Sequence, residues 1–170
     1  MSWSNKRMCR IAGPALGALV LSGCFQPLYQ GGASVGGVSL ASIAVPPISG
    51  RLGYSLTNEL AFRFHGGGEV ASPEYQLSVK LSEHVQTPLV DTVSGRATSA
   101  VVGIDANYSL VSSATQQEVA SGTAFTTETY DRSSQRFANI RAARDAELRG
   151  ARVLADQIFT RIAAALRAKG

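Results

Sequence analysis

Catalytic and metal-binding residue types are scarce in this chain of 170 residues, and each shortage excludes something. Cysteine occurs twice, at Cys9 and Cys24. Neither lies beyond position 24, so no disulfide can staple the main body of the chain and an apolar core must hold it together unaided. Histidine also occurs twice, at His65 and His84. Neither has a Cys, Asp or Glu at metal-ligand spacing except Glu83 beside His84, and neighbours on a strand point to opposite faces. No metal site is expected. Serines are plentiful, but no G-x-S-x-G elbow accompanies them. The glycine-rich run Gln30–Gly37 is not followed by Lys-Ser/Thr or by a helix start, so it is not a phosphate-cradling loop. Asp91 and Asp105 could in principle pair as acid and base. Asp91 falls in the Pro88–Gly95 turn, however, where Asp is used for local hydrogen bonding. Aromatics make up only 7% of the chain, which argues against a large apolar cavity. No catalytic constellation and no cofactor site emerges.

Long apolar runs are short too, and the one near the N-terminus is informative. Residues 1–10 carry Lys6, Arg7 and Arg10 and no acid. Ile11 to Leu21 is apolar and small, and Leu21-Ser22-Gly23-Cys24 closes it. A basic start, an apolar stretch of about 7–15 residues and a small-residue cleavage site define a secretory leader. The stretch is too short for a membrane span of roughly 20 residues. Leu-Ser-Gly-Cys resembles the lipobox of bacterial lipoproteins. That resemblance implies cleavage before Cys24, a diacylglycerol on its thiol and an acylated new amine. Two or more chains, at about 0.8 kcal/mol per buried methylene, anchor a protein stably without a span. In lipoproteins Asp after the cysteine favours retention in the inner membrane. Here that residue is Phe25, which implies the periplasmic face of the outer membrane.

The net charge of +4 and pI near 9.4 suggest a nucleic-acid binder until the leader is discounted. The chain from Cys24 onward keeps 13 bases and 12 acids and is nearly neutral. Secretion also separates it from nucleic acid. What charge remains is unevenly placed. Residues 132–170 hold nine bases and three acids, Asp145, Glu147 and Asp156. That end is either a solvated helix face or a surface for an anionic partner such as a phosphorylated glycolipid.

The organisation reads as residues 1–23 leader, 24–37 lipidated N-terminus and flexible tether, and 38–170 a single domain. Val38–Val45 is β-branched and apolar and stops at Pro46-Pro47, which predicts a strand. Leu52, Leu56, Leu60 and Phe64 recur every fourth residue, and Gly66-Gly67-Gly68 follows, which predicts a helix docked by its leucine row. Glu74–Glu83 alternates, with Tyr75, Leu77, Val79 and Leu81 inward and Gln76, Ser78, Lys80 and Ser82 wet. Arg96–Val111 is a second strand with Val102, Ile104, Ala106, Tyr108 and Leu110 inward. Glu118–Tyr130 is a third, with Val119 and Phe125 on one face. From about Ser134 to Arg167 the period becomes helical, and Phe137, Ile140, Leu148, Ala151, Ala155, Ile158, Ile162 and Leu166 form one stripe. Gly150 interrupts it at a cost of about 1 kcal/mol against alanine. The order β-α-β-β-β-α predicts an α+β two-layer sandwich, a mostly antiparallel four-stranded sheet packed by two helices.

Three stretches resemble one family. Cys24-Phe25-Gln26-Pro27-Leu28-Tyr29 looks like the Cys-Gly-Phe-x-Pro-Leu-Tyr opening of LptE, the small lipopolysaccharide-assembly lipoproteins, with Phe25 directly after Cys24 where the family carries glycine. Gly50–Leu60 is similar to the family's first helix, with its Leu56-x-Asn58-x-Leu60 core. The Tyr75-x-Leu77-x-Val79 strand, Tyr108-x-Leu110 and the long C-terminal helix follow in the family's order. The resemblance implies a non-enzymatic plug inside the outer-membrane barrel LptD, supporting its assembly and the passage of lipopolysaccharide to the outer leaflet. Thr- and Ser-rich outward faces in residues 97–129 would make the barrel contacts. The family binds lipopolysaccharide through basic residues near strand ends and loops, which here points to Lys80 and Arg96. The competing expectation is a free periplasmic lipid-binding carrier lipoprotein.

Overall fold

The computed structural model describes residues 34–35, 38–87 and 98–169, all within one compact unit, Gly31–Gly170. Cys24, the leader, most of the tether, Asp91 and Arg96 lie outside the described residues. A two-residue hairpin opens the described chain: β1 (Ser34–Val35) pairs antiparallel with β2 (Val38–Ser39). β1 falls in the stretch read as tether. A 3-10 turn over Leu40–Ser42 then leads to β3 (Ile43–Ala44), α1 (Gly50–His65), β4 (Tyr75–Gln86), β5 (Ser99–Ser112), β6 (Glu118–Asp131) and α2 (Arg136–Lys169).

The expected β-α-β-β-β-α order and α+β sandwich are found, and the four-stranded sheet runs β3-β4-β5-β6. It is mixed: β3 pairs parallel to β4, while β4–β5 and β5–β6 are antiparallel. The parallel pair follows from α1, which carries the chain back across the sheet between β3 and β4. The predicted first strand is shorter than its composition suggests. The 3-10 turn splits Val38–Val45, burying Leu40, and only Ile43 and Ala44 join the sheet.

Leu52, Leu56, Leu60 and Phe64 are all buried, because every fourth residue of α1 returns to one face. The helix stops where expected: the Gly66 amide donates to Phe62 O at 2.9 Å and the Gly67 amide to Ala61 O at 3.2 Å. On the sheet, Val102, Ile104, Ala106, Tyr108 and Leu110 of β5 and Leu77 of β4 are buried, while Gln76, Ser78, Lys80 and Ser82 are exposed, as their alternation predicts. Burying each large aliphatic side chain contributes about 1.5–3 kcal/mol.

β6 departs from its predicted facing. Val111 pairs with Glu118 but Leu110 pairs with Ala120, so Val119 is an extra residue. From there the even-numbered residues point inward: Ala124 and Thr126 are buried, and Phe125, 65% exposed, lies on the wet face. Val119 still packs against the core from within the bulge.

α2 lies against β6 in the opposite direction. Its long side chains cap the backbone of that edge strand. Arg149 donates to Thr129 O at 2.9 Å, Gln157 Nε2 to Phe125 O at 3.1 Å, and Arg161 to Thr123 O. Bare strand edges invite pairing with other chains, and these bonds blunt that edge. Gly150 is the point of closest approach. A Cβ there would lie 2.5 Å from Ile104 Cδ1, which explains a glycine in mid-helix.

Candidate functional site

Among the described residues both helices lie on one face of the sheet and nothing covers the other, so two surfaces can meet a partner. The open face carries Lys80 at its middle. Lys80 pairs across the ladder with Asn107, which pairs with Thr123, and Thr123 Oγ1 donates to Asn107 Oδ1 at 2.9 Å. Lys80 is exposed and has no carboxylate within ion-pair distance among the described residues. One step along, Ser82 pairs with Asp105, which pairs with Phe125; two steps along, His84 pairs with Gly103, which pairs with Thr127. The His84 ring lies over Gly103, where an added Cβ would collide with it, and His84 Nδ1 stands 3.7 Å from Asp105 Oδ2. This row of Ser, Thr, Asn and Lys, with His84 and Asp105 beside one exposed phenyl ring, can donate and accept hydrogen bonds. Among the described residues no group of three or more His, Cys, Asp or Glu could hold a metal ion.

The opposite side is stitched by ions between the helices. Arg51 Nε donates to Glu147 Oε2 at 2.8 Å, and its Nη2 bonds Oε1 as well. The Glu147 side chain is only 9% exposed, against 60% for Arg51. The bidentate pair and its charge hold the Arg51 guanidinium more firmly protonated than usual. Partial burial, then the nearby Glu147 charge, push the Glu83 carboxyl above its ordinary range, against the pull of Arg51. Further along, Arg63 bonds Glu59 at 2.7 Å and faces Asp156 at 3.8 Å, while Arg152 lies 3.4 Å from Glu59. Pairing across 96 residues leaves no sequence signal, so Arg51–Glu147 escapes a reading of the chain.

The expected stripe of α2 divides in two. Ala151, Ala155, Ile158, Ile162 and Leu166 are buried, whereas Phe137, Ile140 and Leu148 are 82, 39 and 44% exposed. These three, with Arg141, Arg144, Ala142 and Asp145, line an open depression of about 980 Å³. The structure does not bring Lys80 to these arginines; they lie on opposite sides of the sheet. Cys24 and Arg96 stay outside the described residues. Among those residues no helix is long and apolar enough to cross a membrane.

Solved structures share this fold. A lipoprotein of Caulobacter crescentus CB15 superposes with a TM-score of 0.63 at 23% identity, covering 75% of this chain and 92% of that one. Rare lipoprotein B from Shewanella oneidensis gives 0.54 at 11% identity, covering 72% and 92%. Lipoprotein B from Nitrosomonas europaea gives 0.54 at 15%, covering 75% and 83%. No functionally curated protein matches. The family model for LptE, lipopolysaccharide assembly, matches residues 40–162, from the 3-10 turn before β3 to deep in α2. This chain belongs to the LptE lipopolysaccharide-assembly family.

Proposed function

We propose that this protein is an outer-membrane lipoprotein, acylated at Cys24 after loss of residues 1–23, that plugs an LptD-like barrel and helps lipopolysaccharide reach the outer leaflet. The observation that carries the reading is the family match over nearly the whole domain. The basic leader, the Leu-Ser-Gly-Cys run and Phe25 support a lipid anchor on the periplasmic face of the outer membrane. Residues 24–37 then serve as the tether and 38–170 as the working domain.

The chemistry of the open sheet face suits a plug. A barrel lumen is polar and wet, so a body filling it needs hydrogen-bonding side chains rather than an apolar coat. Thr123, Thr127, Thr129, Asn107 and Ser109 supply them on one flat surface. The role is non-catalytic: the domain positions a partner and a glycolipid and breaks no bond. Lys80 and Arg96 are the basic residues assigned to lipopolysaccharide phosphates.

Affinity purification from detergent-solubilised outer membranes, followed by mass spectrometry, tests this reading. A stoichiometric outer-membrane barrel protein should accompany the tagged chain. A chain that elutes alone with bound lipid would instead be a free carrier, and the plug assignment would fall.

A further inference from the structure

The apolar stripe of α2 outlasts the helix that covers it. α1 has 16 residues and α2 has 34, so at 1.5 Å per residue they span about 24 and 51 Å. They run in the same direction: Arg51 meets Glu147, Arg63 faces Asp156, and the Phe64 and Phe159 rings pack with centroids 5.3 Å apart. α1 begins at Gly50, so upstream of Glu147 there is no α1 beside α2. The stripe nevertheless continues there through Phe137 and Ile140, and Leu148, level with the first turn of α1, is exposed with them.

Arg141 and Arg144 fall on that same face, four and seven residues after Phe137, and line the same depression. Neither has a carboxylate within ion-pair distance among the described residues, and the nearby Asp145 is already bound to Arg149. A solvated face would not gather three large apolar side chains, and a face awaiting a core helix would not set two unpaired guanidiniums among them. Apolar side chains flanked by free cations match the boundary of an anionic bilayer, where acyl chains meet phosphates. Arginine stems can lie along the apolar surface while their heads reach outward.

We propose that, while the lipoprotein is outside the barrel, the Phe137–Leu148 face of α2 docks on an anionic lipid bilayer, with Phe137, Ile140 and Leu148 at the acyl boundary and Arg141 and Arg144 on headgroup phosphates. This contact is separate from the anchor at Cys24 and rests on that reading only because the anchor brings the face to the surface.

The test uses the full lipoprotein in vesicles of brominated phosphatidylcholine, with and without phosphatidylglycerol. The chain's one tryptophan, Trp3, precedes Cys24, so Phe137→Trp places a sole reporter in the mature protein. Its emission should be strongly quenched and blue-shifted in phosphatidylglycerol vesicles. Tyr54→Trp on α1 should keep its emission, and adding Arg141→Glu with Arg144→Glu should restore that of Phe137→Trp. A protein that floats with the vesicles but leaves Phe137→Trp unquenched overturns the docking and spares the anchor. Equal quenching without phosphatidylglycerol overturns the headgroup assignment. Quenching of a chain that mass analysis shows to be unacylated and to lack Trp3 upholds the docking and removes the anchor.

Discussion

The Arg51 guanidinium grips Glu147 through Nε and Nη2 and so fastens the first turn of α1 to α2. Arg51→Met leaves a nearly buried carboxylate without its partner. The cost should be about 1–3 kcal/mol, the penalty for an unmet charged hydrogen bond. Urea unfolding of single and double mutants checks it. Arg51→Met with Glu147→Leu should recover most of the loss, because an apolar pair of similar volume replaces a buried ion pair at little cost. A double mutant as unstable as the sum of the two singles would show that the pair is not coupled.

The surroundings of Glu83 set the sign of its contribution to the pH dependence of the fold. Burial and Glu147 raise its folded pKa above the unfolded value. The proton is therefore bound more tightly in the folded state, and the resulting stability is present at acid pH. It is lost as pH rises through the ordinary carboxylate range and the raised folded value. Glu83→Gln should accordingly be more stable than the wild type at neutral pH, with the advantage vanishing below the unfolded carboxylate pKa. Thermal melts across the acid-to-neutral range read it out. An advantage that grows toward acid would reverse the assignment.

Gly150→Ala should bring no stability, although alanine gains about 1 kcal/mol over glycine within a helix. The new methyl would press on Ile104 Cδ1, and Ile104 is fully buried. Ile104→Val removes that terminal methyl. It should cost its usual 0.5–1.5 kcal/mol, roughly, in the wild type, and clearly less in the Gly150→Ala background. A double-mutant cycle with zero coupling would place the helix farther from the sheet.

Lys80 is exposed on the open sheet face, so Lys80→Glu combined with Arg96→Glu should leave the urea midpoint unchanged. It should weaken lipopolysaccharide binding by the purified lipoprotein, most visibly at low salt, where exposed charges are least screened. Titration with labelled lipopolysaccharide measures this. Unchanged affinity removes both residues from the binding surface.

Local pattern made most of this fold legible. The four-residue spacing from Leu52 to Phe64, the glycines at 66–68, and the alternations of β4 and β5 each answer to one nearby rule. What failed depended on events elsewhere in the chain. Phe125 faces outward because the extra residue Val119 resets the register of β6. Val38–Val45 yields two residues of the main sheet because a 3-10 turn intervenes. Phe137 and Ile140 belong to the stripe that the sequence displays, yet among the described residues they are not covered by α1, which begins beside Glu147. Lys80 was readable as wet from alternation alone. The Arg51–Glu147 clamp was not, since nothing local ties the two positions together.

The reading of this chain as a tethered assembly factor turns on the modification of one cysteine. Intact mass of the native protein, purified from outer membranes, measures it directly. The account predicts a chain beginning at Cys24 and heavier than its sequence by a diacylglycerol and an amide-linked acyl chain. An unacylated chain, or one retaining residues upstream of position 24, would contradict it.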